Sequence, residues 1–107
     1  GAIAVHVHLD LAGHRGHEIA ARQMTDGFGG MLSLLIKGSL GDARRFCTLL
    51  KVIVPATSLG GVETLAEHRK TVEGSHSPVP DNLVRISAGI EDLEDLLADT
   101  EQALAAT

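Results

Sequence analysis

The sequence predicts an α+β domain: a small antiparallel sheet of about three to four strands, covered by helices on one face. Three observations carry this. Met31 to Ile36 and Leu83 to Ala88 are short, largely apolar runs of strand length. Between and after them, apolar residues recur at helical spacing, most clearly towards the end of the chain. Strands joined with few complete crossovers favour antiparallel pairing, with helices gathered on one side. The length of 107 residues allows a single domain, 1–107, with one core.

The elements follow in order. Ala2 to Leu11 alternates in part and predicts an extended, strand-like entry. Gly13 to Gly16 predicts a turn, and Glu18 to Met24 a short helix with Ile19, Ala20 and Gln23 at helical spacing. Asp26-Gly27-Phe28-Gly29-Gly30 breaks that helix, because clustered glycines favour backbone angles closed to other residues. Met31 to Ile36 is apolar almost throughout, which suits a strand buried on both faces. Gly41-Asp42 opens the next helix, with Asp42 as its N-cap and Ala43, Phe46, Leu49 and Leu50 as its apolar stripe. Lys51 to Ala56 is β-rich, and Pro55 places it at an edge or a strand end. Ser58 to Gly61 is a loop, Glu63 to His68 a helical turn, and Arg69 to Asn82 a polar connector. Leu83 to Ala88 alternates as a strand. The last helix runs from about Ile90, with Leu93, Leu96, Leu97 and Leu104 on one face and acidic residues at its positive end.

Composition narrows the function. The formal charge of −5 argues against nucleic acid, whose phosphates demand clustered Lys and Arg. Six of the 14 acids fall between Glu91 and Glu101, so the imbalance is read mostly as one solvated helix face. With two Phe and no Trp or Tyr, the core is expected to consist of Leu, Ile, Val and Ala. No apolar run approaches the roughly 20 residues that span a bilayer. The single cysteine, Cys47, admits no internal disulfide and fits the reducing cytoplasm. The chain opens on Gly1 and not Met, from which a longer natural chain or a trimmed tag is expected.

Several residues invite a chemical role. His6, His8, His14 and His17 are spaced as zinc ligands can be, but no cysteine or carboxylate completes a pattern, and no metal is assigned. Cys47, beside Phe46 on the helix stripe, is expected to be a buried apolar residue. Gly27 to Gly30 lacks the Lys-Ser/Thr of a phosphate loop and precedes a strand, so it is a turn. Two features resist a bland account. Ser58-Leu59-Gly60-Gly61 is a glycine loop after a strand, where sites often lie. Arg85 stands inside an apolar strand, where an unpaired charge is costly. It either snorkels at an edge or is held to grip a carboxylate.

Ser58 to Glu63 (SLGGVE) and Leu83 to Glu91 (LVRISAGIE) also carry a resemblance. So do Gly16 to Ala20 (GHEIA), Gln23-Met24, Gly27 to Ser33 (GFGGMLS) and Ala43 to Phe46 (ARRF). Collinear from about Val5 to Leu104, these segments resemble the small C-terminal domain of the Cys/Met-metabolism enzymes that use pyridoxal phosphate (PLP). That group includes cystathionine γ-synthase, cystathionine γ-lyase and methionine γ-lyase. The resemblance implies that Arg85 binds the α-carboxylate of an amino-acid substrate, with Ser58, Thr57 and Leu59 beside it. Thr57 stands where cystathionine-cleaving members often carry Glu. The connector at 69–82 is shorter than in many members, and Arg15 replaces a common Pro. The resemblance further implies that the cofactor's lysine, its aspartate and its stacking tyrosine belong to a large N-terminal domain absent from this sequence. Such an enzyme would eliminate or replace at the γ-carbon, usually as a homo-oligomer. This chain alone is then expected to bind no PLP and to be inactive. The alternative is a stand-alone, non-catalytic binding or interaction module of the same fold.

Overall fold

A computed structural model describes residues 3–7, 13 and 15–107. In chain order its elements are β1 (Ile3–Val7), α1 (His17–Gln23), β2 (Met31–Ile36), α2 (Leu40–Leu49), β3 (Val54–Pro55), β4 (Leu65–His68), α3 (Arg69–Glu73), β5 (Leu83–Ser87) and α4 (Leu93–Ala105). The strands form one sheet in the order β1-β2-β5-β4-β3. Three neighbouring pairs are antiparallel: β1 with β2, β2 with β5, and β5 with β4. The two-residue β3 adds a fifth strand, parallel to β4 at the edge. The α+β class is therefore as the sequence predicts, and the four longer strands make the antiparallel part. The edge place of Pro55 follows from its missing N–H.

The core lies between the sheet and helices α2 and α4. Leu34 and Ile36 of β2, Ala66 of β4, and Val84 and Ile86 of β5 face Ala43, Phe46, Cys47, Leu50 and Ala103. Leu, Ile, Val and Ala dominate this cluster, but its largest fully buried side chain is Phe46. Alternation along a strand sends successive side chains to opposite faces. Arg85, between Val84 and Ile86, therefore turns away from the core.

Several elements depart from the sequence expectation. The segment 63–68 is no helical turn: its last four residues are β4, zipped between β5 and β3. The connector at 69–82 contains α3, whose first turn is capped by the His68 ring accepting from the Thr71 N–H. Asp42 is not the cap of α2. Ser39 is, and Asp42 completes a capping box, with Ser39 N donating to Asp42 Oδ2 at 2.7 Å. The last helix starts at Leu93 with Asp92 as its cap, so Glu91 lies outside it. Its acids are not all solvated either, because Asp99 is buried.

The turn at Asp26 to Gly30 is as expected, with Asp26 (φ 63°), Gly27 (φ 132°) and Gly29 (φ 88°) all in conformations that favour glycine. Among the described residues no helix is long and apolar enough to cross a membrane.

Candidate functional site around Arg85 and the 57–61 loop

Arg85 occupies the middle of β5, and the strand register sets Ser33 of β2 on one side of it and Glu67 of β4 on the other. Its Nη2 lies 2.6 Å from Glu67 Oε1. The same Nη2 donates to the Thr57 carbonyl at 2.9 Å. No protein acceptor meets Arg85 Nε or Nη1 among the described residues. The Arg85 side chain is 23% exposed, so a solute can reach it.

Glu67 is itself 5% exposed. Its Oε1 also accepts from Nη1 of Arg69, whose Nη2 pairs with Glu73 at 2.7 Å. Its Oε2 is buried and has no hydrogen-bond partner among the described residues. An arginine in an apolar strand is thus explained by a buried carboxylate directly across the register.

The loop that follows Thr57 is held from the same strand. Gly60 N donates to Ser87 Oγ at 3.0 Å. Gly89 N donates to Thr64 Oγ1 at 2.8 Å, and Thr64 Oγ1 in turn donates to Glu91 Oε1 at 2.6 Å. The Glu91 carboxylate accepts the Thr64 N–H as well, at 2.9 Å through Oε2. These two bonds, from the Thr64 hydroxyl first and its N–H second, hold Glu91 below the usual carboxylate range. Arg85, Ser87, Gly89 and Glu91 occupy every second position, and each engages the segment 57–64.

A cavity of about 190 Å³ opens beside this loop, lined by Gly30, Met31, Leu59, Gly60, Gly61, Ser87 and Ala88. The four residues singled out from the sequence are thus partly assembled. Arg85 meets the main chain of Thr57, while Leu59 lines the adjacent cavity and is 55% exposed. Ser58 is exposed between them. Glu67 was not foreseen, because its role comes from strand pairing across 18 residues of sequence. Ser87, Gly89 and Glu91 lay within the LVRISAGIE motif, but their bonds to the loop are visible only in the fold.

The chain's lysines are placed apart from Arg85. Of the three, Lys70 donates to the carbonyls of Ser77 and Val79. Lys51 follows α2, with its backbone N–H on Asp99. Lys37 follows β2 at the Leu83 end of the sheet, away from Ser87 and the glycine loop. No lysine therefore stands beside Arg85, and the chain has no Tyr or Trp to cover a pyridine ring.

Of the N-terminal histidines, only His17 has a described side chain. His8 and His14 lie outside the described residues, and the His17 ring packs against Phe28 with centroids 5.6 Å apart. Among the described residues no three His, Cys, Asp or Glu side chains gather as a metal-binding set. Cys47 is buried as expected, and desolvation, followed by the Glu67 charge, pushes its thiol up to about 11.

Comparison with known proteins agrees with the fold. A family model described as Cys/Met metabolism PLP-dependent enzyme matches residues 2–105. Cystathionine γ-synthase of Mycobacterium tuberculosis is 52% identical over 99 residues, covering 88% of this chain and 25% of that protein. Cystathionine γ-lyase of Sus scrofa is 44% identical over 110 residues, covering 94% of this chain and 26% of the relative. The crystal structure of metB from Corynebacterium glutamicum superposes with a TM-score of 0.90 at 50% identity, covering 97% of this chain and 28% of that one. The chain spans about a quarter of the length of the curated relatives it matches. It belongs to the Cys/Met metabolism PLP-dependent enzyme family.

Proposed function

We propose that this chain is the C-terminal domain of a PLP-dependent γ-synthase or γ-lyase of sulfur amino-acid metabolism, acting in the cytoplasm. In this role it binds the α-carboxylate of the amino-acid substrate through Arg85, with Thr57, Ser58 and Leu59 bordering the place. The observation that carries this is the Arg85 guanidinium: anchored through Nη2, reachable from solution, and set beside a glycine loop. A planar guanidinium binds a carboxylate as a fork and fixes its orientation as well as its charge. The cofactor, which supplies the electron sink for the chemistry, belongs on a separate large domain, since this chain has no lysine beside Arg85. On its own the chain orients a carboxylate and breaks no bond. The exposed apolar side chains of Leu59 and Val62, and of Ile90, whose N–H donates to the Val62 carbonyl, suit a surface that such a domain or a second subunit covers.

A hybrid enzyme tests this. This chain replaces the matching quarter of the Mycobacterium tuberculosis cystathionine γ-synthase, to which it is 52% identical. The hybrid is expected to be active, and Arg85→Ala to lower its kcat/KM about a hundredfold or more, mostly through KM. In parallel, the chain alone is mixed with PLP, reduced with borohydride and mapped by mass spectrometry, where only scattered lysine adducts are expected. A hybrid indifferent to Arg85→Ala, or one stoichiometric adduct on a single lysine of the isolated chain, would refute the proposal.

A further inference from the structure

Glu67 sits opposite Arg85 in the sheet, is almost wholly buried, and spends one oxygen on two arginines while the other has no partner among the described residues. As a stabilising device this is poor. A buried carboxylate oxygen without a donor is unfavourable, and an apolar pair of the same volume is often as stable as a buried ion pair. What the arrangement does secure is direction. The two ways in which a guanidinium presents a fork, Nη1 with Nη2 or Nε with Nη2, share Nη2. Glu67 takes one Nη2 hydrogen from the buried side, and the Thr57 carbonyl takes the other from an exposed loop.

We infer that Glu67 is the positioning residue for Arg85, fixing the guanidinium plane so that a carboxylate displaces the Thr57 carbonyl and meets a fork already aimed. This rests on the carboxylate role proposed for Arg85. Glu67 touches no substrate; it acts through Nη2. Arg69, which shares the same Glu67 oxygen, is anchored separately by Glu73 and is dispensable for the aim. The 57–61 loop is the part that yields, because the contact it loses is a single neutral acceptor, whereas Glu67 offers a charged one.

The test is nuclear magnetic resonance of the whole chain, with the Arg85 Nε–H signal as reporter and acetate as the carboxylate probe. In the unmodified chain the signal is expected to be sharp and as ordered as the backbone. Acetate is expected to shift it saturably, together with the amides of Thr57 and Ser58. Glu67→Gln keeps an acceptor but removes the charge. It is expected to leave the backbone amide spectrum of the core folded, to broaden the Arg85 signal, and to weaken acetate binding about tenfold. Arg69→Gln is expected to leave both Arg85 readouts unchanged, which a general loss of packing around Glu67 would not. An Arg85 signal equally ordered in Glu67→Gln, with unchanged acetate binding, overturns the inference. So does an Arg69→Gln chain that loses Arg85 order as fully as Glu67→Gln. If Arg85 is ordered by Glu67 but never responds to acetate, the carboxylate role of Arg85 falls, and Glu67 stands as the residue that orients it.

Discussion

Asp99 offers the sharpest test of how this fold is held. It lies on α4, is 4% exposed, and collects the backbone of the segment that leaves α2. Its Oδ1 accepts from Lys51 N at 2.7 Å and from Gln102 Nε2 at 3.0 Å, and its Oδ2 accepts from Val52 N and Ile53 N, both at 2.8 Å. In Asp99→Ala all three backbone donors lose their acceptor. Ile53 is buried, so its N–H stays unsatisfied at a cost of about 1–3 kcal/mol. Lys51 and Val52 are exposed and turn to water, losing about 0.5–1 kcal/mol each. The total is about 3 kcal/mol, a large share of the roughly 5–15 kcal/mol that holds a domain. With a urea slope near 1.5 kcal/mol per M, the unfolding midpoint falls by about 2 M. Asp99→Asn separates charge from shape. Each carboxylate oxygen faces two donors, so whichever side takes the amide NH₂ sets donor against donor, and Asn is expected to lose about 2 kcal/mol. The acid limb supplies the sign. Burial alone raises the Asp99 carboxyl, but the N–H groups of Ile53, Lys51 and Val52 and the Gln102 amide outweigh it, leaving it below its ordinary 3.8. A group depressed in the folded state contributes stability above its unfolded value and loses it as pH falls through the folded one. The gap between the unmodified chain and Asp99→Asn is therefore flat above about pH 5 and closes below about pH 4. A loss under about 1 kcal/mol in Asp99→Ala, or an Asn variant as stable as the unmodified chain, would refute the reasoning.

Two further expectations follow from single atoms. A Cβ on Gly89 would lie 2.2 Å from the Val62 carbonyl oxygen, 2.5 Å from the Glu63 carbonyl carbon and 2.6 Å from the Thr64 nitrogen, all of them backbone. Gly89→Ala is expected to destabilise by about 2–3 kcal/mol, read as a lowered thermal midpoint, and a midpoint unchanged within error would contradict the close approach. The Cys47 thiol, buried and pushed up to about 11, is expected to react with a disulfide reagent at neutral pH only as the chain opens. Release of thiolate within seconds from the folded chain, with no added denaturant, would show the site to be accessible.

What could be read from the sequence was whatever depended on near neighbours. Met31 to Ile36 is read as a strand and is one to the residue, but only Leu34 and Ile36 are buried, so one face is covered and not both. Arg85 was legible because it breaks its own local pattern. Leu65 to His68 was not, since Leu, Ala and Glu favour helix locally and only pairing with β5 and β3 makes them a strand. That single error hid Glu67. As part of a helical turn Glu67 is one more solvated acid, whereas in register with Arg85 it is the counter-charge. Asp99 was lost in the same way. Among six acids near the end of the chain it looks like its neighbours, and the three N–H groups that need it come from nearly 50 residues earlier.

The motif LVRISAGIE has a structural logic that its letters alone conceal. Val84 and Ile86 go into the core, and the residues between and beyond them address the glycine loop in turn. Arg85 reaches Thr57, Ser87 reaches Gly60, Gly89 admits the main chain of Val62 to Thr64, and Glu91 closes on Thr64. The two segments thus run alongside each other from the strand into the loop beyond it, joined at every second position. Strand alternation requires that spacing: a shift of one residue would put Arg85 into the core and Val84 onto the loop. The apolar residues therefore set the register that aims the polar ones, and packing of the core fixes the site's geometry. That is why a charge so costly in an apolar strand can be kept there. The strand register that brings Arg85 to the loop is the one that brings Glu67 to Arg85.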